Sequence, residues 1–250
     1  MIEPELDDRA PDPGLDRLVE ALLHRWPARG AFIIGVTGAV ASGKSTLANA
    51  LRARLGACPG RPVVELAGTD GFLHPNAELD RLGLGARKGF PESYDAQALR
   101  HALAAVREGP AAFPGYSHVV YDIDPGLGRR IDRPDVLIVE GLSLDLDGAG
   151  AGRRLLDVLI YLDADEADVE AWFVRRFLGL WAAAKADPGS FYARFSGLDR
   201  DQAAALARTV WTGVNLPNLR EHIIQARDVA DLVVRKRADH RIESVSEPSR

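Results

Sequence analysis

The stretch G-A-V-A-S-G-K-S, residues 38–45, decides the fold of this 250-residue chain. An apolar run at residues 31–36 precedes it, and leucines recur at helical spacing in residues 46–55 after it. A strand, then G-x-x-x-x-G-K-S, then a helix is the context in which this pattern forms a phosphate-binding loop. The alternative, a glycine-rich turn without a ligand, is disfavoured by both flanking elements. The pattern predicts a site for a nucleoside triphosphate but does not say which molecule receives the phosphoryl group.

The residue types of the loop fit this chemistry. Gly38 and Gly43 permit backbone angles that a Cβ would oppose, so successive N–H groups can face phosphate oxygens. Lys44 reaches the β- and γ-phosphates, Ser45 ligates Mg²⁺, and the N-terminus of the helix adds partial positive charge. The predicted nucleotide-binding residues are therefore consecutive: Gly38, Ala39, Val40, Ala41, Ser42, Gly43, Lys44, Ser45 and Thr46.

Two acids follow predicted strands. Residues 63–67 (V-V-E-L-A) precede Asp70, and residues 135–140 (D-V-L-I-V-E) end in Glu140. Ligands of open α/β sheets bind at the carboxyl ends of the strands, so Asp70 can face the γ-phosphate and remove or orient the proton of an attacking hydroxyl. Glu140 matches the Walker B pattern, in which a buried strand delivers a carboxylate to the Mg²⁺ region. The alternatives are an ordinary turn aspartate and a core strand with a capping acid.

Composition limits the classes of protein that remain. A hydrophobic content of 46% with 27% charged residues is typical of a globular protein, and the net charge of −5 disfavours a nucleic-acid-binding surface. Cys58 is the only cysteine, which excludes an internal disulfide and fits a reducing compartment. The sequence contains no signal peptide and no apolar run of membrane length. We therefore expect a cytoplasmic protein without nucleic-acid or membrane partners.

Strands and helices alternate along the chain. This order predicts an α/β fold with a mainly parallel sheet of about five strands, covered by helices on both faces. Residues 1–14 are rich in Asp, Glu and Pro and are predicted to be a flexible lead-in. Residues 15–242 are predicted to form a single domain, followed by a polar tail at residues 243–250.

Three segments are predicted to lie near the substrate. Residues 74–94 are rich in glycine, proline and charge, which indicates a functional loop. Residues 114–124 mix aromatic side chains, a histidine and acids, and are predicted to form a hairpin. A helical lid is predicted over about residues 172–200, where Pro188 and Gly189 interrupt the helical pattern.

Longer blocks of the sequence resemble the bacterial type I pantothenate kinases. These blocks are T-D-G-F-L-H-P-N (residues 69–76), R-K-G-F-P-E-S-Y-D (87–95), Y-S-H with Y-D shortly after (116–122), V-E-G-L (139–142), R-R-F-L (175–178) and V-N-L-P-N-L (214–219). The resemblance covers residues 30–242 and implies the three-layer sandwich of P-loop NTPases. It also implies transfer of the ATP γ-phosphate to the primary hydroxyl of pantothenate, the first step toward coenzyme A. The resemblance further implies that the protein is a homodimer and that coenzyme A inhibits it.

The resemblance assigns roles by motif. Asp70 matches the catalytic acid that engages the hydroxyl, Lys44 the lysine of the phosphate loop, and Arg176 the arginine that stabilises charge on the transferred group. Ser45 and Glu140 match the residues near Mg²⁺. His240 aligns with a histidine near the adenine. The residues that match the pantothenate site are Asp70, Lys88, Tyr116, His118, Tyr121, Phe173 and Asn215.

The chain departs from the family pattern at four positions. Phe173 replaces a tyrosine that hydrogen-bonds pantothenate, Ser143 replaces an asparagine, and Leu180 replaces an aromatic residue of the lid. Asn49 replaces an arginine that helps to bind coenzyme A, so weaker inhibition by coenzyme A is expected. Two alternatives stay open: a related P-loop kinase acting on another small alcohol, such as a nucleoside, a sugar or a pantothenate analogue, and a non-catalytic nucleotide-binding regulator.

Overall fold

The structure is a computed structural model and describes residues 12–27, 30–142, 144 and 155–248. Its strands are β1 (Phe32–Gly38), β2 (Val64–Gly68), β3 (Pro110–Phe113), β4 (Tyr116–Ser117), β5 (Asp122–Ile123), β6 (Arg129–Asp132), β7 (Val136–Glu140), β8 (Val158–Asp163), β9 (Leu232–Lys236) and β10 (Ile242–Ser246). Its helices are α1 (Pro13–Leu23), α2 (Lys44–Gly56), α3 (Asn76–Arg81), α4 (Ala96–Ala105), α5 (Glu166–Ala183), α6 (Arg200–Val210), α7 (Leu216–Asn218) and α8 (Gln225–Val229).

The main sheet has six strands in the order β10-β9-β8-β1-β7-β2. The pairs β2–β7, β7–β1, β1–β8 and β8–β9 are all parallel, and only β10 runs antiparallel to its neighbour. Parallel neighbours require crossover connections, which the helices between the strands provide. The predicted α/β fold with a mainly parallel sheet is therefore confirmed, with one strand more than expected.

The additional strand corrects the prediction of a polar tail. Residues 243–250 were predicted to be a polar tail outside the domain, but Ile242–Ser246 form β10 at the edge of the sheet. A register shift between Ile242 and Ser244 places Ile242 and Val245 against the same apolar core. Because this bulge spaces the two inward residues three apart, the strand lacks the alternation that identifies strands in a sequence.

The sheet separates two apolar cores. On one side, Phe32, Ile34 and Val36 of β1 pack in a cluster with leucines of α1 and α2. On the other side, Ile33 packs in a cluster with residues of α4, α5 and the C-terminal helices. Successive side chains of a strand point to opposite faces, so one strand can contribute to both layers. The result is the three-layer arrangement implied by the resemblance.

The first helix begins inside the segment that was predicted to be a flexible lead-in. Asp12 caps α1 by accepting hydrogen bonds from the N–H groups of Gly14 and Leu15, and Pro13 occupies the first helical position. Both features are typical helix starts. The predicted lead-in is thus shorter at its C-terminal end, and residues 1–11 lie outside the described residues.

The segment predicted as a loop at residues 74–94 is well packed. It contains α3, and Leu79, Phe90 and Ser93 are buried in the protein. The predicted hairpin at residues 114–124 is confirmed, since β4 pairs antiparallel with β5. The two segments are in contact with each other: the N–H of Asn76 donates a hydrogen bond of 3.0 Å to the Asp122 carboxylate.

The helices after β8 pack partly against the sheet and partly against each other. Phe177 and Trp181 of α5 pack against Ala203 and Ala207 of α6 in a cluster of their own. Between α6 and α8 the chain is almost entirely helical, and it widens into π-helical turns at Trp211–Asn215 and Leu219–Ile223. Within the described ranges, no helix is long and apolar enough to cross a membrane.

Candidate active site

The phosphate loop joins β1 to α2 with the predicted glycine conformations. Gly38 has φ of 146°, and a Cβ on it would lie 2.7 Å from the carbonyl oxygen of Leu162. Gly43 is the N-cap of α2 with φ of 84°. Between them, Ala41 also has a positive φ, 60°, which an alanine adopts only where the surrounding structure enforces it. The loop is therefore held in an unusual conformation rather than resting in a favoured turn.

Lys44 folds back onto the loop that precedes it. Its Nζ donates hydrogen bonds to the carbonyl oxygens of Gly38 (3.2 Å) and Ala39 (2.8 Å), and the side chain is buried. A buried ammonium is costly unless it is hydrogen-bonded. These bonds hold the positive charge beside the loop, where a phosphate group would bind.

Glu140 lies next to Ser45 because of the sheet register. Val36 of β1 pairs with Glu140 of β7, so the end of β7 lies beside the start of the loop. The Ser45 hydroxyl donates a hydrogen bond of 3.0 Å to Glu140 Oε1. Burial raises the pKa of Glu140 above its ordinary value, and the positive charge of Lys44 opposes this shift.

The residues predicted for Mg²⁺ fit that ion chemically. A hydroxyl and a carboxylate are hard oxygen ligands, and Mg²⁺ in phosphoryl-transfer sites is held by one or two carboxylates together with substrate phosphates. Across residues 12–27, 30–142, 144 and 155–248, no cluster of three or more His, Cys, Asp or Glu side chains forms a metal cage. Ser45 and Glu140 would therefore hold the ion jointly with the nucleotide.

One cavity collects the predicted catalytic and acceptor-binding side chains. Gly68 of β2 pairs with Glu140 of β7, which brings Asp70, two residues beyond β2, to the same edge of the sheet. The side chains predicted from sequence that line this cavity are Lys44, Ser45, Asp70, Lys88, Tyr116, His118, Tyr121, Glu140, Phe173, Arg176 and Asn215. Val40 and Ala41 of the loop line it too. The Asp70 carboxylate thus faces the space that the phosphate loop borders.

His240 lies beside the loop but in a different, smaller cavity. Thr46, Lys236 and His240 line this second cavity. The His240 ring stacks on Trp172 of α5, with ring centroids 4.0 Å apart. The structure therefore brings His240 close to the loop on the side of β9 and β10, rather than to the acceptor residues.

Lys88 supports the cavity wall through its neighbours. Its Nζ donates hydrogen bonds of 2.6 Å to both Asn76 Oδ1 and the carbonyl oxygen of Tyr121. It also lies 5.0 Å and 4.7 Å from the ring centroids of Tyr116 and Tyr121. Burial lowers the pKa of Lys88, while the charges of Asp122 and Asp70 oppose this. Because Tyr121 has φ of 59°, Lys88 stabilises a strained residue that borders the cavity.

Asn215 presents an unused hydrogen-bond donor at the cavity. Its Nδ2 is buried and has no hydrogen-bond partner in the part of the chain that the structure describes. Asn215 ends the π-helical turn that follows α6, and such turns are frequent at functional sites. An unpaired buried amide is costly, so this donor is suited to a ligand oxygen.

The chain is similar in sequence to known kinases. Residues 33–176 match the Phosphoribulokinase / Uridine kinase family. The pantothenate kinase of Leifsonia xyli subsp. xyli is 48% identical over 92% of this chain and 74% of its own length. That of Xanthobacter autotrophicus is 45% identical over 86% of this chain and 70% of its own. The chain belongs to the pantothenate kinase family.

A solved structure shares the fold of this pantothenate kinase family member. A protein of Silicibacter sp. TM1040, described as a fructose transport system kinase, superposes with a TM-score of 0.66 at 28% identity. The match covers 85% of this chain and 94% of that one. The P-loop kinase fold predicted from the loop and its flanking elements is therefore confirmed.

Three polar side chains that line the cavity of this family member were missed by the sequence analysis. Tyr94, Tyr192 and Asn218 line the cavity with the predicted residues. The Tyr94 hydroxyl donates a long hydrogen bond of 3.5 Å to Asp70 Oδ1, and burial together with the Asp70 charge raises the pKa of Tyr94. Asn218 donates through Nδ2 to the carbonyl oxygen of Gly89 at 2.9 Å. Tyr94 and Asn218 stand in the quoted sequence blocks, which was the available signal.

The family departures have different structural settings. Phe173 lines the cavity, and its ring packs 6.1 Å from that of Trp211. Leu180 lines the same cavity. Asn49 is exposed on α2, and its Nδ2 donates to the carbonyl oxygen of Ser45 at 2.8 Å. Ser143 lies outside the described residues.

Proposed function

We propose that the protein transfers the γ-phosphate of ATP to the primary hydroxyl of pantothenate, giving 4′-phosphopantothenate in the first step of coenzyme A biosynthesis. The observation that supports this most directly is that one cavity is lined by Lys44 and Ser45 of the phosphate loop, by Asp70, and by the other residues predicted to bind the acceptor, Asn215 among them. Relatives named pantothenate kinase, up to 48% identical over most of the chain, support the choice of acceptor.

The roles of the residues follow from phosphoryl-transfer chemistry. Lys44 and the loop amides bind the β- and γ-phosphates. Ser45 and Glu140 would hold Mg²⁺, which would supply positive charge to neutralise the phosphates. Asp70 accepts or orients the proton of the acceptor hydroxyl, and Arg176 stabilises charge on the transferred group. Because this reaction needs little covalent chemistry from the protein, positioning and positive charge supply most of the rate.

The acceptor end of the cavity offers several neutral hydrogen-bond donors. Burial raises the pKa values of Tyr116 and Tyr121, so both hydroxyls stay protonated and can donate hydrogen bonds. The Asn215 amide adds a further donor. Donors of this kind match the hydroxyl, amide and carboxylate oxygens of pantothenate.

The segment from about residue 172 to 200 is proposed to act as the lid of a single kinase domain. Phe173, Arg176 and Leu180 of α5 and Tyr192 beyond it all contribute to the cavity lining. From Phe177 onward the segment packs against α6 in its own apolar cluster, whereas Trp172 at its start belongs to the core on one face of the sheet. We infer that the part beyond Phe173 moves as the lid while Trp172 stays in place. Closure would exclude water from the transferred phosphate.

A related kinase acting on another small alcohol is the second candidate. Phe173 lacks the hydroxyl that the family uses for pantothenate, and the Silicibacter protein at 28% identity is described as a fructose transport system kinase. A non-catalytic nucleotide-binding regulator is less well supported, because Asp70 and Arg176 both line the cavity and a binding module needs neither.

An acceptor screen tests the proposal. Purified protein with ATP and Mg²⁺ is given pantothenate, fructose, uridine or D-glycerate, and ADP release is followed, with EDTA as the control. We expect the highest kcat/KM with pantothenate. A sugar or nucleoside as the best acceptor would establish the second candidate, and no ADP release from any acceptor at millimolar concentration would favour the regulator.

Three further properties are part of the proposal. A homodimer and a cytoplasmic location follow from the family resemblance and from the single cysteine, Cys58. Inhibition by coenzyme A is proposed to be weaker than in relatives, because Asn49 has no positive charge to offer the phosphates. Competition of coenzyme A against ATP in the same assay measures this, and strong competition would contradict it.

A further inference from the structure

Lys236, the last residue of β9, is buried against the phosphate loop. Its Nζ donates a hydrogen bond of 2.8 Å to the carbonyl oxygen of Ser42, a residue 194 positions earlier in the chain. Only 7% of Lys236 is exposed, whereas the neighbouring inward residues of β9 are aliphatic. Lysine is rarely buried to this extent, because removing its charge from water is costly. The position therefore calls for an explanation beyond packing.

The hydrogen bond fixes the orientation of one peptide group in the loop. The peptide bond between Ser42 and Gly43 is trans, as are the other bonds of the described chain. In a planar trans peptide the C=O and N–H groups point in opposite directions. Since Lys236 binds the Ser42 carbonyl oxygen, the N–H of Gly43 must point away from Lys236. In a phosphate loop this amide is one of the donors that bind phosphate oxygens.

Gly43 is adapted to the lysine as well as to the turn. A Cβ at this position would lie 2.7 Å from Lys236 Nζ, so a side chain here would displace the ammonium from its present place against the loop. The φ of 84° favours glycine independently. Around the ammonium, the Trp172 ring centroid lies 5.8 Å from Nζ, and His240 stacks on that ring. The lysine is thus enclosed by the loop, α5 and the β9–β10 turn.

We propose that Lys236 is a positioning residue for the nucleotide, which acts by holding the Ser42–Gly43 peptide so that the Gly43 N–H faces the phosphates. This inference rests on the proposed function only in that the loop binds a nucleotide. It requires no particular acceptor. Lys236 raises nucleotide affinity and leaves acceptor binding unchanged.

Three substitutions separate this role from a merely structural one. Lys236→Met removes both the donor and the charge, Lys236→Gln keeps a donor without the charge, and Lys236→Arg keeps both. Arg237→Gln is the matched control, because Arg237 is the next residue, is exposed, and pairs only loosely with Glu243 at 3.4 Å. Binding of ADP with Mg²⁺ is measured by calorimetry, and KM is measured for ATP and for the acceptor.

We expect Lys236→Met to weaken ADP binding about 10- to 100-fold and to raise KM for ATP, with the acceptor KM unchanged. Arg and Gln should each restore part of the affinity, and Arg237→Gln should bind like the wild type. If Lys236→Met does not fold, as judged by circular dichroism, the Gln and Arg variants decide the question against the wild type.

The inference is overturned if Lys236→Met binds ADP within twofold of the wild type. If Lys236→Met is unfolded, it is overturned if both of the other variants bind ADP within twofold of the wild type. An equal loss in Arg237→Gln also overturns it. Failure of the proposed function would look different. The wild type would bind ADP normally but would form no ADP when given ATP and pantothenate.

Discussion

The Ser45 hydroxyl donates a hydrogen bond of 3.0 Å to Glu140, although 95 residues separate them. The contact arises because β1 and β7 are parallel neighbours, and Val36 pairs with Glu140. Parallel strands end at the same edge of a sheet, so the loop after β1 meets the acid that ends β7. The contact brings together the two residues that we propose would hold Mg²⁺, Ser45 and Glu140.

The variant Glu140→Gln should impair use of Mg²⁺. Loss of the carboxylate removes one of the two protein oxygens proposed to hold the ion, and losing a charged partner costs about 10- to 100-fold in rate. The measurement is kcat/KM for ATP as a function of Mg²⁺ concentration. Glu65→Gln, on neighbouring β2 and paired with exposed Arg129, is the control. An unchanged Mg²⁺ dependence would remove Glu140 from the metal site.

Glu140 should also make the stability of the nucleotide-free protein depend on pH. Burial raises the pKa of Glu140 from its ordinary value of 4.5. A carboxyl with a raised folded-state pKa contributes stability that is present below its unfolded pKa and is lost as pH rises through the folded pKa. The free energy of unfolding, measured with urea, should therefore fall for the wild type relative to Glu140→Gln as pH rises from about 4 to 7. A difference that is constant with pH would be evidence against this.

Asp70→Asn tests the proposed proton acceptor. The amide cannot accept the proton of the acceptor hydroxyl, so kcat should fall about 100- to 10,000-fold while ADP affinity stays unchanged. Asp132→Asn, at an exposed position on β6, is the control for loss of a carboxylate. An unchanged kcat in Asp70→Asn would exclude Asp70 from the mechanism.

Asn215→Ala tests whether the unpaired amide binds the acceptor. Its buried Nδ2 has no partner in the described part of the chain, so a ligand oxygen should gain one hydrogen bond there. We expect KM for pantothenate to rise about 3- to 10-fold with KM for ATP unchanged. Thr212→Ala, on the exposed face of the same helical segment, is the control. Equal changes in both KM values would indicate a structural role instead.

Phe173→Tyr restores the hydroxyl that the family pattern has at this position. Because Phe173 lines the cavity, the added hydroxyl can donate a hydrogen bond to pantothenate. KM for pantothenate should fall about 3- to 10-fold, and KM for ATP should not change. A higher KM for pantothenate would show that this cavity is shaped for a different acceptor.

Local pattern was sufficient for the elements of the nucleotide site. The glycines at 38 and 43, the lysine and the serine after them, and the acids at strand ends are short-range signals, because each depends on a few neighbouring residues. The structure places them as expected, with Gly38 and Gly43 at positive φ and Glu140 bonded to Ser45.

Packing decided the parts that local pattern did not predict. The segment at residues 74–94 looks like a loop in sequence, yet Leu79 and Phe90 are buried, since charge and glycine content do not reveal long-range contacts. Tyr94 and Asn218 reach the cavity only because distant segments converge there.

The sequence by itself determined the phosphate loop, the alternation of strands and helices that gives the α/β class, and the two acids, because these depend on residue type and short spacing. Only the tertiary structure decided that Ile242–Ser246 add a sixth strand and that Lys236 binds the loop carbonyl of Ser42. The first is a pairing of β10 with the preceding strand β9, whereas the second joins residues 194 positions apart. A bulge hides the first from periodicity, and the second is a single side chain with no pattern around it.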